Sequence, residues 1–245
     1  MGILNWLAGK NILYYPGCLT KFALDKQLEN YKEIMNILGI DFLMLKDELC
    51  CGSPILNAGY EKEARELALS NFELLNKKNI GKIIVNCPAC YKTFTQEYKK
   101  LVPEWNIPSE HIILTVLAAL NKKPYLIKTP ANEKIIYHDP CHLGRYSKIY
   151  SEPREVLKMI GYEVIELPLN HENSICCGGG GGLKANNPEL ANKIAKKVLE
   201  HVENMQVKKI ISTCPMCFSQ FKENFQDIEV LEFSDAVLNA LKKQK

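Results

Sequence analysis

The chain has 245 residues, 47% of them hydrophobic and 24% charged, with a net charge of +3, which is enough length to bury a core in one large domain or two smaller ones. Only Arg65, Arg145 and Arg154 among its 31 basic residues are arginines; phosphate recognition favours arginine forks, so we expect no nucleic-acid surface. Residues 1–10 lack the basic start and apolar core of a signal peptide, and the longest apolar stretch, 112–120, is too short to span a bilayer. The expectation is a cytoplasmic chain that meets a membrane only through a partner.

In chain order, Trp6 and Leu7 are candidates for covering a sheet edge or forming a small interaction surface. Residues 11–15 then form a short apolar strand. Residues 24–38 carry Leu24, Leu28, Tyr31, Ile34, Met35 and Leu38 at helical spacing, and Gly39 closes that helix. A second strand is expected over 41–45, an amphipathic helix over 60–78 and a third strand over 82–86. A helix with proline in its first turn follows over 88–100, then a fourth strand over 111–115 and a short helix to 121. Residues 122–133, with prolines at 124 and 130, read as a linker. The second half repeats the series: strands over 134–138, 163–167, 208–212 and 229–233, and helices over 155–160, 188–204, 215–225 and 234–242.

The repetition is literal at the cysteines. Cys18 aligns with Cys141 at an offset of 123 residues, Cys50-Cys51-Gly52 with Cys176-Cys177-Gly178, and Cys87-Pro88-Ala89-Cys90 with Cys214-Pro215-Met216-Cys217 at an offset of 127. Each half thus holds five of the ten cysteines in the same order. Alternating strands and helices predict an α/β fold of two tandem pseudo-symmetric Rossmann-like modules, with parallel sheets flanked by helices: a first over 10–121 and a second over 134–243. Every cysteine group follows a strand, and the carboxyl ends of parallel strands share one edge, so distant cysteines meet there. Without an oxidising compartment to maintain disulfides, clustered cysteines point to metal or redox chemistry. Cys87 and Cys214 each open a helix, where free amide N–H groups favour a thiolate.

Tyr15-Pro16-Gly17-Cys18, His138-Asp139-Pro140-Cys141-His142, both Cys-Cys-Gly motifs and both Cys-Pro-x-Cys motifs together resemble the cysteine-rich CCG domain. That domain occurs in heterodisulfide reductase catalytic subunits and in iron–sulfur subunits of glycolate-, lactate- and glycerol-3-phosphate-oxidising enzymes. The resemblance covers residues 11–242, once in each half. It implies two [4Fe–4S] clusters, noncubane in the best-understood members. One would lie on Cys18, Cys50, Cys51, Cys87 and Cys90, the other on Cys141, Cys176, Cys177, Cys214 and Cys217. Zinc at the first site is the alternative. Many relatives carry ferredoxin-type cysteine runs ahead of this domain and this sequence has none, so electrons are expected through a ferredoxin-like or flavoprotein partner, with a small-molecule acceptor. The resemblance implies an oxidoreductase subunit acting on a disulfide- or quinone-type acceptor. The alternative is a non-catalytic electron-transfer subunit of a 2-hydroxy-acid dehydrogenase.

The halves differ around their cysteines. Tyr15, Pro16, Leu19 and Phe22 give way to His138, Asp139, His142 and Arg145, and residues 53–56 give way to glycines 179–182. Gly178, Gly179 and Gly180 are read as leaving room beside the second cluster. His138 and His142 are read as proton donors, and Arg145 as a clamp for a substrate carboxylate or phosphate. On that reading the second site faces substrate, while the first is structural or relays electrons.

Overall fold

The computed structural model describes residues 9–242; Trp6, Leu7 and the last residue of the expected second module lie outside them. The first sheet orders its strands β1 (Asn11–Tyr15), β2 (Ile80–Val85) and β3 (Ser109–His111) side by side and all parallel. The second sheet runs β5 (Tyr162–Glu166), β4 (Glu133–His138), β6 (Lys209–Ser212) and β7 (Glu229–Glu232), again all parallel. Helices cover both faces, and no helix among the described residues is long and apolar enough to cross a membrane.

Side chains along each strand alternate between two cores, as a period of two requires. Leu13, Tyr15, Ile83 and Val85 face an outer core with Ala68, Leu75, Phe94, Tyr98 and Trp105. Tyr14 and Ile84 face inward. In the second sheet Ile136 and Ile210 face outward, whereas Ile135, Tyr137 and Ile211 face inward. The inward faces of both sheets share one core, in which Tyr31, Ile34, Ile113, Val116, Val156, Leu157, Phe233 and Val237 are buried. The helices filling it are Asp25–Leu38 against Phe233–Leu241 and Ile112–Lys122 against Ser151–Met159. The duplication relates these two contacts to each other, so one interface is made twice, in the manner of a two-fold dimer. Each fully buried Leu, Ile or Phe there contributes about 1.5–3 kcal/mol, which joins the halves into one body.

Four expectations change in detail. Residues 41–45 contribute a single parallel bridge, Leu43 to Leu13, before a turn at 46–47 takes the chain off the sheet edge toward Cys50. Residues 111–115 are not a strand. β3 ends at His111, whose Nδ1 accepts the Ile113 N–H at 3.4 Å and starts the Ile112–Lys122 helix. The buried residues Ile112, Ile113, Val116 and Leu120 form the helical stripe that decides it. The helix expected over 88–100 is interrupted by a π-helical turn, Thr93–Glu97, and Cys18 opens a short helix of its own, Cys18–Ala23. Residues 122–133 form an ordered strap: the Lys128 and Thr129 N–H groups both donate to the Ala240 carbonyl, at 2.8 and 3.1 Å.

A polar cluster pins the two halves at the start of the Phe233–Leu241 helix. Tyr31 donates to Glu232 Oε1 at 2.6 Å, Glu232 caps the helix by accepting the Ser234 N–H at 2.7 Å, and Asn30 donates to Asp235 at 2.9 Å. Burial pushes the Glu232 carboxyl up to about 7. A carboxyl raised in this way binds its proton more tightly when folded. Its contribution to stability is therefore complete below the unfolded value of 4.5 and is lost as the pH rises through about 7. Glu48, also raised to about 7 by burial, adds a slope of the same sign. Buried His111 and His138, both held down, give slopes of the opposite sign, so the share of Glu232 is read by difference: from about pH 5 to pH 8 the melting temperature of the parent should fall relative to that of Glu232→Gln. Equal slopes in the two would remove Glu232 from this account.

Candidate metal centre

Each cysteine group sits where a parallel strand hands the chain to a helix or loop. Cys18 lies three residues past β1, Cys87 two past β2, Cys141 three past β4 and Cys214 two past β6. Because the two sheets pack through a shared helical layer, their carboxyl edges open onto one space. All ten cysteines line a single cavity of about 430 Å³, together with Pro16, Leu19, Pro54, Ala89, His142, Lys184, Pro215 and Met216. Five thiols approach it from each half. None is in a disulfide.

The Cys-Cys loops are held differently in the two halves. In the first, Tyr15 donates to the Leu49 carbonyl at 2.7 Å and Asn71 to the Cys50 carbonyl at 2.9 Å. In the second, Arg145 donates to the carbonyls of Glu172 and Ser174, at 3.2 and 2.6 Å. Arg145 thus bonds the chain that leads into Cys176 and is not among the residues that line the cavity. Arg154, which sequence reasoning left aside, is buried. It makes a double contact with Asp139 at 2.7 Å for each bond, another with Glu166 at 2.7 Å, and lies over the Tyr137 ring. Asp139 in turn accepts the His171 N–H at 2.8 Å, and its own carbonyl accepts from Ser174. This network ties the loop bearing Cys141 to the loop bearing Cys176. Asp139, Glu166 and His171 are close enough to suggest a metal site, but both carboxylates already hold the Arg154 cation. A usable signal was present in the sequence: Arg154 falls on the apolar face of its helix between Pro153 and Val156, where a cation has to be paired.

His142 lies on the cavity wall with Nδ1 3.4 Å from Cys141 Sγ. Burial and the Lys92 cation hold it toward the neutral imidazole. His138 does not line the cavity. It is buried edge-on against Phe221, with both ring nitrogens unpaired among the described residues, and burial pushes it down to about 4. Phe22, expected to wall the first site, is 76% exposed and is not among the lining residues, whereas Pro16 and Leu19 do line the cavity. Cysteines of both sets line the one cavity, and the side chains beside them differ.

The donor set fits iron–sulfur clusters. Cys50 and Cys176 each accept an N–H···S bond at 3.4 Å, from Gly52 and Gly178. The adjacent thiols, Cys18 foremost for Cys50 and Cys141 for Cys176, hold both far below the usual thiol range, at about 2. Cys87 is lowered to about 7, first by the Cys90 thiol and then by the Cys90 and Ala89 N–H groups, as the helix start suggested. The crowded neighbours are pushed up: Cys51 and Cys90 in the first set, and Cys177 and Cys217, whose sulfurs lie 3.1 Å apart, in the second. So many thiols cannot all ionise together without a cation between them. Gly17 leaves a sulfur its space, since a Cβ there would meet Cys90 Sγ at 3.2 Å; Gly178 and Gly179 let the second loop pack closely on its helices, since a Cβ would meet the Ala191 carbonyl at 2.6 Å and Met216 at 2.9 Å. The unpaired nitrogens of His138 also suit a group that can accept a hydrogen bond.

The model of the cysteine-rich domain termed CCG matches residues 12–95 and again 135–222. The chain belongs to the CCG family. Among its relatives is a component of the dihydromethanophenazine:CoB–CoM heterodisulfide reductase of Methanosarcina barkeri, 34% identical over 89% of this chain and 54% of that protein. An uncharacterized iron–sulfur protein of Methanocaldococcus jannaschii is 32% identical over 88% of the chain and 42% of its own length. The EtfAB:quinone oxidoreductase of Syntrophomonas wolfei is 32% identical over 90% of the chain and 32% of its own length. The chain thus spans about half or less of these curated relatives.

The Arg154 network yields a test. Arg154→Met leaves Asp139 buried without its partner, which should cost about 3–5 kcal/mol of stability. It should also lower metal retention at the second cysteine set while sparing the first, read by metal analysis of the variant in Cys18→Ser and Cys141→Ser backgrounds. Equal loss from both sets would contradict the assignment of Arg154 to the second loop pair.

Proposed function

We propose that this CCG chain is an iron–sulfur oxidoreductase subunit of the heterodisulfide reductase type. It holds a [4Fe–4S] cluster in each five-cysteine set and passes electrons between a flavoprotein or ferredoxin-like partner and a disulfide- or quinone-type acceptor. The observation that carries this reading is the convergence of all ten cysteines on one ligand-sized cavity. When bound, the two clusters supply electrons singly, from two sides of the same space. An imidazole in the wall of that space, His142, is a group a pure electron relay does not need, which favours the catalytic reading over the non-catalytic one. Zinc at the first set would use four tetrahedral ligands in a closed site, whereas that set offers five sulfurs and leaves Cys18 exposed.

The chain's own residues supply the rest. Pro16, Leu19, Pro54, Ala89, Pro215 and Met216 make the wall largely apolar, which excludes water from the reacting centre. Among the described residues that line the cavity, His142 is the only imidazole, and it is placed to pass a proton from a ring nitrogen to a reduced acceptor. His138, buried behind the second set, would act as a positioning residue for that set. Arg145 and Arg154 hold the loops that present its sulfurs.

Anaerobic purification should give a brown protein with about eight irons and as much acid-labile sulfide per chain, as two four-iron clusters require. A colourless protein with zinc at the first set would replace this reading. His142→Ala should retain iron while turnover with a disulfide or quinone falls roughly a hundredfold. Turnover equal to the parent would remove His142 from proton delivery.

A further inference from the structure

The five glycines after Cys177 do not share one reason for being glycine. Gly178 and Gly179 lack room for a Cβ, and Gly181 and Gly182 take φ of +64° and +77°, which side chains disfavour. Gly180 has neither constraint. Its φ lies outside the left-handed region, and a Cβ built there meets nothing within 4 Å. Glycine at such a position costs stability through the freedom of the unfolded chain and gains nothing within the folded one. Yet Gly180 lines the cavity at an exposed edge, beside Lys184 and Ala185. In the other half the equivalent position is Pro54, which also lines the cavity, at the start of the Ser53–Asn57 helix. The cavity wall is therefore raised at Pro54 and lowered at Gly180.

We infer that Gly180 is a specificity-determining position: it is kept bare so that an unbranched apolar arm of the acceptor can leave the cavity over it, past Met216 and Ala185. This rests on the reading of the cavity as an acceptor site and adds which side the acceptor enters and what its tail is made of. The neighbours agree with an uncharged arm, because Lys184 is already occupied by both Glu223 carboxylate oxygens at 2.6 Å. The shared chemistry is a two-electron acceptor with a hydrocarbon arm, whether its reducible head is a quinone or a disulfide.

The test compares iron-loaded wild-type protein with Gly180→Ala and Gly180→Leu. Two probe pairs serve: a benzoquinone with and without a decyl arm, and a disulfide with decyl or methyl arms. Binding to the oxidised protein is measured by calorimetry, so no turnover is needed. Wild type should bind the long-armed member of one pair roughly tenfold or more tightly than its short counterpart, the worth of about two buried methylenes. Gly180→Leu should erase that preference while keeping the iron content and absorption spectrum. Gly180→Ala should raise the melting temperature by roughly one to three degrees. The pair that shows the preference identifies the head group. A preference in neither pair, one that survives Gly180→Leu, or loss of iron in that variant overturns the inference. Arm-dependent binding without reduction of either probe would instead overturn the proposed reaction and leave the role of Gly180 standing.

Discussion

Everything at the cysteine site depends on how the two halves pack. Each half alone would present five thiols at the carboxyl edge of its own parallel sheet. The Asp25–Leu38 to Phe233–Leu241 contact and its repeat, Ile112–Lys122 to Ser151–Met159, turn those two edges toward each other. Tyr14 and Ile84 from one sheet and Tyr137 and Ile211 from the other meet in the same core. A buried apolar interface, which has no chemistry of its own, thereby sets the distance between the two cysteine sets.

Within that frame the halves have diverged in how they hold their loops. The first uses neutral groups, Tyr15 and Asn71, on the carbonyls of Leu49 and Cys50. The second uses Arg145 and the paired cation Arg154, with Asp139 accepting from both sides. A buried ion pair is a weak source of net stability but a strong constraint on geometry once it is formed. Its place behind Cys141 and Cys176 matches the half whose glycine-lined wall has the fewest side chains to brace it. The π-helical turn after Cys90 adds a further link, since Gln96 reaches across to the Tyr146 carbonyl at 2.8 Å.

Much of this was legible in the sequence, and the reasons differ by feature. The duplication, the parallel sheets and the meeting of each five-cysteine set follow from order and spacing, because a strand–helix unit returns the chain to the same edge. The partner of an apolar helix face is not encoded in its period. That Leu38 and Val116 would be buried was readable, but that their helices would face the other half was not. The partners of Arg145 and Arg154 are hidden from the sequence for a similar reason. A lone arginine beside a histidine and a cysteine reads as a substrate clamp, and only the fold shows that the Ser174 carbonyl takes it. Residues 112–115 looked like a continuation of the strand that ends at His111 because they are apolar, and the capping bond from Ile113 to His111 is visible only once the helix exists. The glycine run read as one feature and divides into three: close packing at Gly178 and Gly179, left-handed backbone at Gly181 and Gly182, and open space at Gly180.

The central claim is that both cysteine sets hold iron–sulfur clusters facing one cavity. Electron paramagnetic resonance of the anaerobically reduced protein tests it most directly, because two paramagnets that face each other across one cavity broaden or split each other's signals. The account predicts an interacting spectrum in the intact chain, which collapses to a simple isolated-cluster signal when the second set is removed by Cys176→Ser with Cys177→Ser. An intact-chain spectrum that is the plain sum of two isolated clusters, or that shows only one, would contradict it.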